Sequence, residues 1–208
     1  MAAVQRLVLA SNNAKKLGEM QALFAPLGLR LVAQGELGIP EAEEPHVTFV
    51  ENALEKARHA ARHAGGAAIA DDSGLCVDAL DGSPGVLSAR YATLFGRPKD
   101  DLENNRVLLE QLALRPPSTG RQARFVSALV AVRSATDPEP LIAFGRWEGE
   151  VLHAARGDHG FGYDPLMFIP ALGRSVAELG APEKNTHSHR AIAARQMLSL
   201  MREVWRLG

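Results

Sequence analysis

The chain has 208 residues, 46% of them hydrophobic and 23% charged, and its 23 Lys and Arg nearly balance 24 Asp and Glu for a formal net charge of −1. This is the composition of a globular chain long enough to bury about 70% of the surface its unfolded form exposes, so a core can form without covalent staples. The charge balance excludes a nucleic-acid polymer as partner, which requires a net basic excess or a dense basic stripe, and leaves a small charged ligand open. The one cysteine, Cys76, lies between Leu75 and Val77 and cannot form an internal disulfide, which fits a reducing cytoplasm. Neither the four-residue apolar run 7–10 nor the interrupted run 125–132 has the length of a signal peptide core or a membrane span.

Taken in order, residues 6–11 have the length of a buried strand and lead through Asn12 and Asn13 into a helical pattern from Lys15 to about Phe24, with Gly28 beyond its end. Residues 48–64 form the clearest helix, with Thr48 and Glu51 as a capping box and one apolar face that includes Phe49, Ala53, Ala57, Ala60 and Ala64. Gly65 and Gly66 break the chain, and residues 67–70 and 75–80 are expected to be two short buried strands around Asp71-Asp72-Ser73-Gly74, which puts the acids at a strand end or turn. A helix is expected over 98–113, with Pro98 near its first position, then two longer strands over 122–133 and 140–151. Residues 156–165 form a glycine-rich loop, and a last helix runs from His189 to about Leu207. With no internal repeat, residues 1–208 are expected to be one domain of mixed α/β class with a central twisted sheet.

Three groups of residues can carry chemistry. Ser11, Asn12, Asn13, Ala14, Lys15 and Lys16 lie between a strand and a helix, where free N–H groups, the helix dipole and two ammonium groups suit a polyphosphate; a capping Asn followed by solvated lysines is the alternative. Neither a Walker loop nor a G-x-G-x-x-G fingerprint occurs. The acids Glu41, Glu43, Glu44, Asp71 and Asp72 have few cations near them in sequence, and residues 63–89 hold four Asp and no Lys or Arg. Such crowding suits a hard divalent cation, Mg²⁺ by preference, because that ion needs only one or two protein carboxylates beside phosphate oxygens and water. Phe161, Gly162, Tyr163 and Asp164, with Lys184 and the Ser188-His189-Arg190 start of the last helix, outline a base pocket, with rings to stack on a planar base and donors for carbonyl oxygens on its edge; local packing of Phe161 and Tyr163, a capping Ser188 and surface His189 and Arg190 are the alternative. His46, His59, His63, His153 and His187 have no zinc spacing, and Ser73 and Ser88 lack a nucleophile-elbow frame.

SNNAKK at 11–16, FVENALEKA at 49–57, ADDSGLCVDALDGSPGVLSARYA at 70–92, FGYDP at 161–165 and SHR at 188–190 together resemble the inosine triphosphate pyrophosphatase family. The resemblance covers almost the whole chain in the same order. It implies an elongated two-lobed α/β fold with an active-site cleft between the lobes, and a magnesium-dependent cytosolic homodimer. It also implies hydrolysis of deaminated purine nucleoside triphosphates (ITP, dITP and XTP) to the monophosphate and pyrophosphate. By resemblance, residues 11–16 hold the triphosphate, Asp72 is metal ligand or catalytic base, and Ser73 touches substrate. Phe161, Gly162, Tyr163, Asp164, Lys184, His189 and Arg190 match base and phosphate contacts. The second metal ligand is Glu43, with Glu41 and Glu44 as close alternatives. Discrimination is expected at the purine 6-position, where donors such as Arg190 meet the oxo group of inosine and are left unpaired by the amine of adenosine. A related enzyme that prefers pyrimidine or modified nucleotides and a non-catalytic nucleotide sensor are the competing functions.

Overall fold

The computed structural model describes residues 6–25, 28, 30–116 and 118–207. The elements are β1 (Arg6–Leu9), α1 (Ala14–Phe24), β2 (Arg30–Ala33), α2 (Phe49–Ala64), β3 (Ala68–Val77), α3 (Asp101–Ala113), β4 (Gln122–Val132), β5 (Leu141–Val151), β6 (Met167–Ile169), β7 (Arg174–Ser175), α4 (Ala181–His187) and α5 (His189–Val204). All seven strands join one mixed sheet in the order β2-β1-β3-β4-β5-β6-β7, so the chain has the expected mixed α/β class. It divides into two compact units, residues 1–72, 127–145 and 189–208 in the first and residues 73–126 and 146–188 in the second. No described helix is long and apolar enough to cross a membrane.

In the first unit β1 pairs in parallel with β2 and with β3, and α1 is the crossover that a parallel β1–β2 pair requires. Strand period two sorts the apolar side chains onto two faces. Leu7, Leu9, Ile69, Leu129 and Ala131 pack against Met20 and Phe24 of α1 and Ala193, Ala194, Met197 and Met201 of α5. Val8, Ala68, Ala70, Ala128, Val130 and Val132 face the other way, onto Ala53, Ala57, Ala60 and Ala61 of α2. Both faces are covered, which is why these strands read as unbroken apolar runs. Gly145 allows α5 to start close to the sheet: a Cβ there would lie 1.8 Å from the carbonyl oxygen of His189.

The core of the second unit gathers Leu75 and Val77, Phe125, Trp147 and Val151, Met167 and Ile169, with Leu108 and Leu112 of α3 and the ring of Tyr163. Strands β5 and β6, and β6 and β7, pair antiparallel.

The structure departs from the sequence expectations at several elements. Residues 71–74 are not a turn but the middle of β3, which runs unbroken from Ala68 to Val77. Gly74 is there for close approach: a Cβ would meet the Gly85 carbonyl oxygen and Ser88 Oγ at 2.4 Å. Helix α3 starts at Asp101, not near Pro98, because Asp100 caps it by accepting from the N–H groups of Leu102 and Glu103 at 2.8 and 3.2 Å. The last helix ends at Val204. The short elements β2, β6, β7 and α4 carried no periodic signal long enough to read.

Candidate active site

Asp71 and Asp72 are sequence neighbours within a strand, so their side chains leave on opposite faces of the sheet. Asp71 follows Ile69 onto the face of α1 and α5, and Asp72 follows Ala70 onto the face of α2. Each face supplies its own partners. Asp71 Oδ2 meets Lys16 Nζ at 3.0 Å and Arg190 Nε at 3.1 Å, and Asp71 Oδ1 accepts from Ser127 Oγ at 2.7 Å. Arg190 Nη1 is held in turn by Glu19 Oε2 at 3.0 Å. Burial opposes the charge of Asp71, but Lys16, Arg190 and the Ser127 hydrogen bond outweigh it and hold the carboxyl well below the usual carboxylate range. Burial likewise pushes the Lys16 ammonium down against the pull of Asp71. Ser127 is the polar residue interrupting the apolar run 125–132, and Glu19 lies one turn after Lys16 on α1.

On the other face Lys56 Nζ bridges two carboxylates, Asp72 Oδ1 at 2.8 Å and Glu44 Oε1 at 2.9 Å, and also donates to the Asp71 carbonyl oxygen at 3.0 Å. Asn52, one turn before Lys56 on α2, directs Nδ2 at Asp72 Oδ2 at 3.4 Å and at the His46 carbonyl oxygen at 3.1 Å. Burial raises the Asp72 carboxyl above the ordinary range, and Glu44 adds to this against the pull of Lys56. Burial works against the Lys56 ammonium, but Asp72 and Glu44 together raise it. Neither Asn52 nor Lys56 was singled out from the sequence. The available signal was a polar pair at i and i+4 inside an otherwise alanine-rich stretch of amphipathic helix.

Of the three acids before α2, Glu44 is the one that shares Lys56 with Asp72; Glu43 is exposed, and Glu41 Oε1 accepts from Asn12 Nδ2 at 3.2 Å. In the turn between β1 and α1, Asn13 caps the helix, its Oδ1 accepting from the N–H groups of Lys15 and Lys16 at 3.0 and 3.1 Å. Ser11 Oγ accepts from the Asn13 N–H at 3.2 Å. Ala14 opens the helix, Lys15 is exposed, and Lys16 turns inward to Asp71. His189 and Arg190 are both buried in the first turn of α5.

In the second unit, Ser73 follows Asp72 along β3. Asp164 Oδ2 braces the 161–164 loop by accepting from the Phe161 N–H at 2.9 Å and from Lys184 Nζ at 2.7 Å. The Lys184 ammonium also lies 4.7 Å from the centre of the Phe161 ring. Tyr163 is not available for stacking: its ring is in the core, its hydroxyl donates to the Ser88 carbonyl oxygen at 2.9 Å, and burial raises its pKa. Phe161 is half-buried and is not part of that core cluster.

Among the described residues no three His, Cys, Asp or Glu side chains gather as a metal cage. Magnesium does not require one. Glu44 and Asp72 already converge on a single cation, the Lys56 ammonium, through hard oxygen donors, which is the donor set Mg²⁺ takes alongside phosphate.

The fold and this cluster define an α/β protein with buried carboxylates and paired cations at the end of the parallel part of its sheet, suited to a charged phosphorylated ligand. Residues 7–200 match the model of the Ham1 family. A dITP/XTP pyrophosphatase of Methylibium petroleiphilum is 65% identical, over 96% of this chain and 99% of the relative. That of Leptothrix cholodnii is 62% identical, over 98% and 100%. A solved HAM1 protein from Coxiella burnetii superposes with a TM-score of 0.88 at 44% identity, covering 96% of this chain and 99% of that one. The chain belongs to the Ham1 family.

Proposed function

We propose that this nucleoside triphosphate pyrophosphohydrolase hydrolyses ITP, dITP and XTP, with Mg²⁺, to the nucleoside monophosphate and pyrophosphate, so removing noncanonical purine nucleotides from the cytoplasmic pool. The observation that carries the reading is the convergence of Asp72 and Glu44 on one cation position, at 2.8 and 2.9 Å from Lys56 Nζ. Glu44 and Asp72 would hold the magnesium, which, when bound, supplies charge neutralisation of the phosphate oxygens.

The chain's own residues do the rest. The positive end of the α1 dipole and the exposed Lys15 ammonium attract phosphate oxygens. Asp72 takes the proton of a water molecule as that water's oxygen bonds to the α-phosphorus; the bond from the α-phosphorus to the bridging oxygen breaks and pyrophosphate leaves with the electron pair. Asp71 keeps Lys16 and Arg190 in place and stays ionised. In the second unit the Phe161 ring stacks on the base, and the Lys184 ammonium beside it donates to a 6-oxo group but faces the 6-amino group of adenine unpaired. Arg190 is held by Asp71 and Glu19 in the first unit, whereas Lys184 lies 4.7 Å from the Phe161 ring, so we assign the 6-position to Lys184 rather than to Arg190.

The test is product analysis with ITP, dITP, XTP, ATP, GTP, dTTP and UTP in the presence of Mg²⁺. Pyrophosphate release confined to the 6-oxo purines other than GTP is expected. Orthophosphate release, equal rates on ATP, or preference for the pyrimidines would refute the reading. The same reading carries a homodimer, which light scattering would test.

A further inference from the structure

The 161–164 loop is gripped at a residue that has no side chain. Gly162 lies in the left-handed region at φ +62°, and its own N–H and C=O are both taken by α3. The N–H donates to Asp101 Oδ2 at 2.9 Å, and the C=O accepts from Asn105 Nδ2 at 2.9 Å. Asp101 and Asn105 are four residues apart and share one face of the helix. A glycine held on both polar groups by one helix cannot shift or rotate without losing both bonds, whereas a glycine held at one end can pivot.

The helix that does the holding is itself fixed. Asn104 Oδ1 accepts from the Ala92 N–H at 2.8 Å and its Nδ2 reaches the Ala89 carbonyl oxygen at 3.4 Å, tying α3 to the 3-10 segment Gly85–Phe95. The Tyr163 hydroxyl ties the loop to the Ser88 carbonyl of the same segment. The Asn105 amide is committed to the loop at some expense: its Oδ1 is buried with no hydrogen-bond partner among the described residues. An orphaned buried acceptor is destabilising, so packing alone would favour an apolar side chain there. The bond to Gly162 is what an apolar residue could not make.

We infer that Asp101 and Asn105 are positioning residues that set the enzyme's purine selectivity, by fixing the loop that carries Phe161 and Asp164; this rests on the reading of that loop as the base site. Neither side chain touches the nucleotide. They act through Gly162, which lies next to the stacking ring on one side and two residues before the Asp164 partner of Lys184 on the other.

The experiment compares Asn105→Ala, Asp101→Ala and Asp101→Asn with the wild-type enzyme, measuring KM and kcat for ITP and ATP and product inhibition by IMP and by pyrophosphate. Asn105→Ala and Asp101→Ala are expected to raise KM for ITP, weaken IMP and narrow the ITP-to-ATP ratio of kcat/KM, each about tenfold, the size one ordinary hydrogen bond sets. kcat for ITP and inhibition by pyrophosphate, which has no base, should stay within about twofold. Asp101→Asn keeps an oxygen acceptor for the Gly162 N–H and should restore most of the wild-type ratio. Asp101 lies at the exposed start of α3, so its variants carry the test if Asn105→Ala fails to fold. The inference is overturned if both alanine variants keep the wild-type ratio and IMP affinity, or if IMP and pyrophosphate weaken together. A wild-type enzyme without preference for ITP over ATP would instead overturn the reading of the loop itself.

Discussion

Asp71 and Asp72 are chemically identical, adjacent in sequence and both buried, yet the fold gives them opposite electrostatic characters. Asp71 has two cations and a hydroxyl within hydrogen-bonding distance and is locked as an anion. Asp72 shares one ammonium with a second carboxylate, and its proton affinity is raised. The difference comes from strand period two alone: one side chain meets α1 and α5, the other meets α2. A general base must exchange a proton near the working pH, and a fixed counter-ion must not. In the proposed mechanism the two faces of β3 would separate those duties across one peptide bond.

The largest effect should come from Asp72→Asn. It removes the proposed proton acceptor and leaves Asp71 and its partners untouched, so turnover is expected to fall by about 10² to 10⁴ while nucleotide affinity, measured by calorimetry, stays within about tenfold. Full activity in this variant would falsify the catalytic assignment and with it the contrast between the two acids.

Asp71→Asn should act on stability more than on chemistry. It leaves Lys16 and Arg190 buried without their shared anion, at a cost of about 3–5 kcal/mol for breaking a buried pair by removing one partner. The sign with pH follows from the depressed carboxyl. The stabilisation by Asp71 is complete above the unfolded-state value of about 3.9 and is lost as pH falls through the lower folded value. Denaturation of the two proteins should therefore differ most near neutrality and converge in acid. A difference that grew in acid would mean that Asp71 is protonated in the native state.

Much of this was legible in the sequence and some was not, for identifiable reasons. The cap at Thr48, the alanine face of α2 and the strand pair β4 and β5 follow from periodicity over long segments, and the helices and strands found there match closely. The Asp-Asp-Ser-Gly stretch was placed at a strand end or turn, not within a strand, because its residues are turn formers locally. Tertiary partners override that preference: Lys16, Arg190 and Lys56 satisfy the acids, and Gly74 admits the Ser88 hydroxyl. Spacing could suggest that acids gather before α2, but only coordinates show that Glu44 and not Glu43 shares a cation with Asp72. Lys56 was hidden by its setting, one of several charges on an amphipathic helix whose pattern does not say which of them turns inward.

Lys56→Met sharpens the comparison from the other side. Without the ammonium, Asp72 and Glu44 face each other unneutralised, and the cause that held the Asp72 carboxyl down is gone. The acid limb of kcat/KM for ITP should move to higher pH, and stability near neutrality should fall by about 2 kcal/mol as like charges are left unneutralised. Added Mg²⁺ should recover part of that stability, because the ion replaces the lost charge at the same two carboxylates. An unmoved acid limb would remove Asp72 from the proton transfer.

The smallest effect is the most selective. Asn13 caps α1 through the N–H groups of Lys15 and Lys16, so Asn13→Ala loosens the backbone that delivers Lys16 to Asp71. Loss of an N-cap costs about 1 kcal/mol, which thermal denaturation would resolve. Asp72 is on the opposite face of β3, partnered from α2, and the cap lies on neither of those elements. Lys16 is the least of the charges acting on the Asp72 carboxyl, so the acid limb of kcat/KM should stay close to where it is even as stability drops. If the limb moved with the cap, the two acids would be coupled through the sheet, and the division of labour between its faces would have to be abandoned in favour of a single titrating pair.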